Sequence, residues 1–128
     1  MHLNHANLPV PNVPASRDFF VQHFDFEVLP GPGGDKFAIL EGKGGFILNF
    51  MYDKESESPE AMVRYPKNFH IGFYVDTPAE VREKHASLSS AGITVSEVEE
   101  LNRGGFSSTT FYCYAPGGLL VEVSAQGH

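Results

Sequence analysis

The chain has no tryptophan, a single cysteine and few basic residues. The lone cysteine, Cys113, excludes an internal disulfide and is compatible with a reducing compartment. The chain contains nine Lys and Arg residues and 16 Asp and Glu residues, which gives a formal net charge of −7, and the basic residues form no cluster in the sequence. This balance excludes the basic surface that nucleic-acid binding requires. No apolar run approaches the about 20 residues of a membrane span. We therefore expect a soluble, cytoplasmic protein with no nucleic-acid or membrane partner.

The chain does have enough apolar residues for one core, and they fall in two similar halves. Its 128 residues, 41% of them hydrophobic, suit one domain. A polar, acidic segment at 53–60 divides the chain almost in half. We predict a single domain over 1–128, with a first module at about 1–52, a linker at about 53–66 and a second module at about 67–128.

Each half follows the order strand, helix, strand, strand, strand. Asn12 is a plausible helix cap in the first half, and Thr77 with Glu80 has the spacing of a capping box in the second. The predicted strands are 5–10, 26–28, 36–41 and 46–50 in the first half, and 70–75, 93–95, 109–114 and 119–123 in the second. This order predicts an α+β fold, in which two paired βαβββ modules form an open, cleft-bearing, β-barrel-like sheet.

Side-chain alternation singles out three residues as metal ligands. In the strand 119–123 the Leu and Val residues at odd positions share one face, which leaves Glu122 on the other. A carboxylate there either points to water or needs a partner such as a cation. His5 and His70 occupy the same place in the two halves, 65 residues apart. The pattern therefore predicts a metal site of His5, His70 and Glu122, with His2 as a competing ligand of the same parity as His5.

Three segments carry a resemblance to a known family. They are the opening strand 5–10 with its helix residues 16–20, the strand 70–76, and Ala-Pro-Gly-Gly-Leu-Leu-Val-Glu at 115–122. With them the chain resembles the vicinal oxygen chelate superfamily, which includes glyoxalase I, extradiol dioxygenases, and fosfomycin- and bleomycin-resistance proteins. The resemblance implies a divalent metal (Fe, Mn, Ni, Co or Zn) held by two His and one Glu, a small-molecule substrate with two neighbouring oxygens, and a homodimer.

The chain also departs from particular members of this family. Asn49 stands where glyoxalase I-like members have a further Glu ligand, which leaves open positions on the metal. Tyr112, ten residues before Glu122, matches an active-site Tyr of extradiol dioxygenases, but the His that normally precedes that Tyr is absent from 103–111. We predict Glu122 and Tyr112 as catalytic residues. The predicted substrate-binding residues are Asn49, Tyr74, Arg103 and Phe106.

The prediction of function is a metal-dependent enzyme, most like a glyoxalase-type lyase or isomerase, in which Glu122 is a ligand and a proton shuttle. One alternative is an Fe(II) ring-cleaving dioxygenase of the extradiol type. Two others are a ligand-sequestering protein like those of bleomycin resistance and a fosfomycin-type thiol transferase. Metal content separates the sequestering protein from the enzymes.

Overall fold

The computed structural model describes residues 1–31, 33–56, 58–62 and 65–128, and they form two compact units of the same topology. The first unit is drawn from 1–64 and 115–118, and the second from 65–114 and 119–128. In the described residues each unit has one α-helix packed against a four-stranded sheet. The predicted α+β fold with two βαβββ modules is confirmed. Neither helix of the described chain has the length and apolar character needed to cross a bilayer.

The first unit contains a mixed sheet in the order β1-β4-β3-β2, in which β1 and β4 run parallel and the other described pairs run antiparallel. Its helix begins where predicted, because the Asn12 side chain accepts a hydrogen bond from the Ala15 amide at 3.1 Å. The elements are β1 (His5–Val10), α1 (Val13–Phe24), β2 (Glu27–Val28), β3 (Phe37–Glu41) and β4 (Ile47–Tyr52).

An aromatic core joins α1 to this sheet. Phe20 of α1 and Phe50 of β4 are fully buried, and their rings stack with centroids 5.2 Å apart. Leu48 and Phe50 are both buried, so alternation puts Asn49 on the face of the sheet opposite α1. The first unit thus has one packed face and one face that carries polar side chains.

The second unit repeats this arrangement with the sheet order β5-β8-β7-β6. Both halves of the predicted capping box are present, since the Thr77 amide donates to Glu80 Oε2 at 2.8 Å and the Glu80 amide donates to Thr77 Oγ1 at 3.3 Å. The helix packs on β7 and β8 through the fully buried Val81 and Leu88. The elements are β5 (Ile71–Tyr74), α2 (Pro78–Ser90), β6 (Glu99–Arg103), β7 (Phe106–Tyr114) and β8 (Leu120–Gln126).

The predicted strand at 93–95 is wrong. In the described chain only Val95 of that segment pairs, in an isolated bridge with Cys113, and the strand lies instead at 99–103. Gly104 and Gly105 have φ values of 56° and 82°, which gives the two-residue turn that joins β6 to β7. The turn therefore brings β6 against β7. The β6 segment, Glu-Glu-Leu-Asn-Arg, pairs as a strand although its residues do not alternate between apolar and polar.

Candidate metal centre

The predicted site residues of the second unit lie on one face of its sheet, opposite α2, which we call the open face. The odd-numbered residues Leu119, Val121 and Val123 are buried, so the opposite parity of β8 belongs to the open face, as predicted for Glu122. Glu122 pairs in register with Gly72 of β5 and with Tyr112 of β7. Residues opposite one another in register share a face. The same registers add further members to the open face: Tyr74, Arg103, Phe106 and Thr110.

His70 and Glu122 meet on this face. His70 Nε2 is 3.2 Å from Glu122 Oε2, and His70 Nδ1 is 3.0 Å from the carbonyl oxygen of Asn68. A carbonyl oxygen only accepts hydrogen bonds, so Nδ1 carries the ring proton in this contact. A neutral imidazole then directs the Nε2 lone pair at a carboxylate oxygen. The contact is favourable only if a second proton or a metal cation lies between the two groups.

The two carboxylate oxygens of Glu122 have different surroundings. Oε1 accepts hydrogen bonds from Thr110 Oγ1 at 2.8 Å and from the Tyr112 hydroxyl at 3.2 Å. Oε2 instead faces His70. The Glu122 side chain is 22% exposed, so the two hydroxyls replace part of the hydration that its charge has lost. This arrangement leaves Oε2 as the oxygen that can bind a cation together with His70.

Tyr112 is held in its protonated form. Burial raises the pKa of the phenol above its ordinary value of 10.0, and the negative charge of Glu122 and the hydrogen bond to it act in the same direction. Glu99 raises the pKa further, whereas the positive charge of Arg103 lowers it. The hydroxyl of Tyr112 is therefore a hydrogen-bond donor at neutral pH.

In the metal-free protein, Glu122→Gln should lower the pKa of Tyr112 without returning it to the ordinary value, because the effect of burial remains. A raised pKa means that the folded state favours the protonated phenol, so Tyr112 contributes its full share of folding stability below about pH 10. This share of the stability is lost as the pH rises through the pKa of Tyr112 in the folded protein. Absorbance titration of the phenolates measures the shift, and Tyr112→Phe identifies which of the five tyrosines is responsible. Glu100→Gln, which removes the carboxylate paired with Arg82, is the control. An unchanged titration in Glu122→Gln would contradict the assignment.

The first unit places His5 and Asn49 on the face opposite α1. Asn49 Nδ2 donates to Asn7 Oδ1 at 2.6 Å, and Asn49 Oδ1 is buried with no hydrogen-bond partner among the described residues. Asn7 pairs in register with Asn49 as Gly72 pairs with Glu122. His5 precedes Asn7 by two residues, as His70 precedes Gly72, so the two units have equivalent positions for the two histidines.

The structure brings together His70, Glu122 and Tyr112, while His5 and Asn49 belong to the other unit. In the part of the chain that the structure describes, no three His, Cys, Asp or Glu side chains form a metal-holding cluster. The Nε2–Oε2 separation of 3.2 Å nevertheless fits two ligands of one ion, because such bonds are about 2.0–2.2 Å long.

Sequence reasoning did not find Thr110, although a signal for it exists. The structure pairs Tyr112 with Glu122, and Thr110 has the same parity as Tyr112 in the same strand. Because Tyr112 was a predicted site residue, this parity would have placed the Thr110 hydroxyl on the same face of the strand.

Solved structures of related proteins cover nearly the whole chain. A possible glyoxalase from Bacillus cereus is 35% identical over 96% of this chain and 97% of its own, with a TM-score of 0.76. A glyoxylase/bleomycin resistance protein/dioxygenase domain from Frankia sp. EAN1pec is 17% identical over 99% of this chain and 98% of its own, with a TM-score of 0.81. A lactoylglutathione lyase from Agrobacterium tumefaciens is 24% identical over 97% of this chain and 92% of its own, with a TM-score of 0.70. The last two similarities show the fold alone.

Sequence comparison agrees with the structural similarity. No curated protein matches the chain by sequence. The family model described as Glyoxalase/Bleomycin resistance protein/Dioxygenase superfamily matches residues 2–123. That match spans both βαβββ units, including His5, His70, Tyr112 and Glu122. The chain therefore belongs to the Glyoxalase/Bleomycin resistance protein/Dioxygenase superfamily.

Proposed function

We propose that this protein is a divalent-metal-dependent enzyme that acts on a small molecule with adjacent oxygens, most like a glyoxalase-type lyase or isomerase. The observation that carries the proposal is the approach of His70 Nε2 to Glu122 Oε2 at 3.2 Å. The other polar atom of each side chain is already hydrogen-bonded, to the Asn68 carbonyl and to the hydroxyls of Thr110 and Tyr112 respectively. One imidazole lone pair and one carboxylate oxygen are thus directed to the same place, which is the donor set of a first-row divalent ion.

The open face also supplies groups that can bind and orient a substrate. A bound divalent ion would polarise a carbonyl and stabilise negative charge on neighbouring oxygens. The protonated phenol of Tyr112 can donate a hydrogen bond to a substrate oxygen, and Arg103 adds a positive charge on the same face. The rings of Tyr74 and Phe106, 63% and 54% exposed, offer apolar contact surface. Glu122 has the proposed second role of proton shuttle.

Two residues of the first unit complete the proposal. His5 is the proposed third ligand, on the basis of its equivalence to His70 in the repeat. Asn49 is the proposed substrate contact, because it has the register position in the first unit that Glu122 has in the second.

One observation favours a second reaction. Tyr112, which resembles an active-site Tyr of the extradiol-type, Fe(II)-dependent ring-cleaving dioxygenases, lies beside the proposed ligand Glu122, with its hydroxyl 3.2 Å from Oε1. The segment 103–111 contains no His to act as its acid–base partner. The 35% identity to a protein described as a possible glyoxalase favours the lyase or isomerase. Iron as the native metal, with oxygen consumed during turnover, would favour the dioxygenase instead.

The proposal predicts that untagged protein, purified without added metal, carries about one Fe, Mn, Ni, Co or Zn ion per chain. Elemental analysis measures the content, and incubation with a chelator should remove the ion. Protein that carries no metal and takes none up on reconstitution would contradict the proposal of a metal-dependent enzyme. Ligand sequestration would then be the function to test.

The homodimer stays a prediction. Light scattering should give a mass of twice 14.1 kDa in solution.

A further inference from the structure

Thr110 is a buried residue beside the candidate metal centre, and its hydroxyl has no proposed role in metal binding so far. Its side chain is 1% exposed, and its hydroxyl lies 2.8 Å from Glu122 Oε1 and 3.1 Å from the Val123 carbonyl oxygen. A hydroxyl has one hydrogen to donate, and the charged carboxylate is both the nearer and the stronger acceptor. The 3.1 Å separation from the Val123 carbonyl oxygen shows that the hydroxyl lies against the backbone of the strand that carries Glu122.

These contacts restrict how Glu122 can turn. Rotation of the carboxylate would break the hydrogen bond to Thr110 and leave a buried hydroxyl without its charged partner. Tyr112 donates to the same oxygen, but its contact is longer, 3.2 Å, and its ring is only partly buried. The hydrogen bond from Thr110 is shorter and less exposed to solvent, so it constrains the carboxylate more strongly than the one from Tyr112.

We propose that Thr110 is a positioning residue for Glu122. Its hydrogen bond holds Oε1 in place, so that Oε2 faces His70 and is the carboxylate oxygen available to the metal. The proposal rests on the proposed metal-dependent function. Partners that orient a ligand in this way commonly change metal affinity by about 10–100-fold when they are removed. Thr110 thus sets how tightly the protein holds its metal without touching the ion.

The neighbouring Thr109 provides a matched control. It is the same residue type and is fully buried, but it lies on the opposite face of β7, where its hydroxyl donates to the Gly127 carbonyl at 2.8 Å. A Ser and an Ala variant at each position differ only in the hydroxyl. Comparing Ser with Ala therefore isolates the hydrogen bond from the packing of the Thr methyl group.

The test is Co(II) binding to the full chain, measured as a dissociation constant by titration and as the visible absorption spectrum, which reports the coordination geometry. Thr110→Ala should bind Co(II) about 10–100-fold more weakly than Thr110→Ser and should shift the spectrum. The Thr109 pair should bind equally. Thr110 variants of equal affinity, or an equal loss at Thr109, would overturn the positioning role. Wild-type protein that binds no Co(II) would instead overturn the proposed metal function itself. A Thr110→Ala variant that does not fold is replaced by Thr110→Val, which keeps the volume of Thr.

Discussion

Glu122→Gln should remove metal binding and leave a folded protein. The amide keeps the shape of the side chain and an oxygen that can accept from Thr110 and Tyr112, but it carries no charge and is a weaker ligand. A metal at 100 times its dissociation constant stabilises the folded state by about 2.7 kcal/mol, which corresponds to a change in Tm on the order of 10 °C. Wild-type protein should therefore melt lower by that amount in chelator. The Tm of the variant should not respond.

Glu99→Gln is the matched control, because it removes the same charge from the same sheet. Glu99 is exposed on β6 and pairs in register with Thr110, but among the described residues no hydrogen bond or ion pair joins it to His70. This variant should keep both its metal content and its response to chelator. A Glu122→Gln protein that keeps the metal content of the wild type would show that Glu122 is not a ligand. Should wild type and both variants ignore chelator and carry no metal, ligand sequestration replaces catalysis as the function to pursue.

Features encoded by neighbouring residues could be predicted from the sequence. The start of α1 at Asn12 and the capping box of Thr77 and Glu80 were found, because a cap depends on residues within three positions of it. The face of Glu122 was found in the same way, since the alternation of buried and partly exposed residues in β8 is regular. Local chemistry and side-chain parity thus determine these features without knowledge of the fold.

Features that depend on pairing between distant segments could not be read as easily. The strand β6 has the sequence Glu-Glu-Leu-Asn-Arg, which lacks the apolar alternation of a half-buried strand, and it becomes a strand because the backbone of β7 pairs with it. The role of Thr110 similarly requires the register between β7 and β8, and the ring proton of His70 is placed by the backbone carbonyl of Asn68. The sequence gives the parity of Thr110 but neither its register against Glu122 nor the carbonyl that faces His70, so these contacts were not predicted.

The ligand role of His5 stays a prediction, and replacing it should weaken metal binding as strongly as replacing His70. His5 has the place in β1 that His70 has before β5, and its ring is exposed, with Nδ1 3.2 Å from Asn4 Oδ1. Loss of a direct ligand should cost more than the about 10–100-fold that loss of an orienting partner costs. His2→Ala is the matched control, since His2 has the same parity as His5 and is also exposed.

Titration with Co(II) or Zn(II) should thus show a large loss of affinity for His5→Ala and for His70→Ala, and an unchanged affinity for His2→Ala. The folded state should tolerate His5→Ala, because its exposed ring contributes little to the core. A reversed result, in which His2→Ala loses the metal and His5→Ala keeps it, would make His2 the ligand. If neither variant changes the affinity while His70→Ala abolishes it, the metal is held without a histidine from this segment, and the equivalence of the two units does not extend to their ligands.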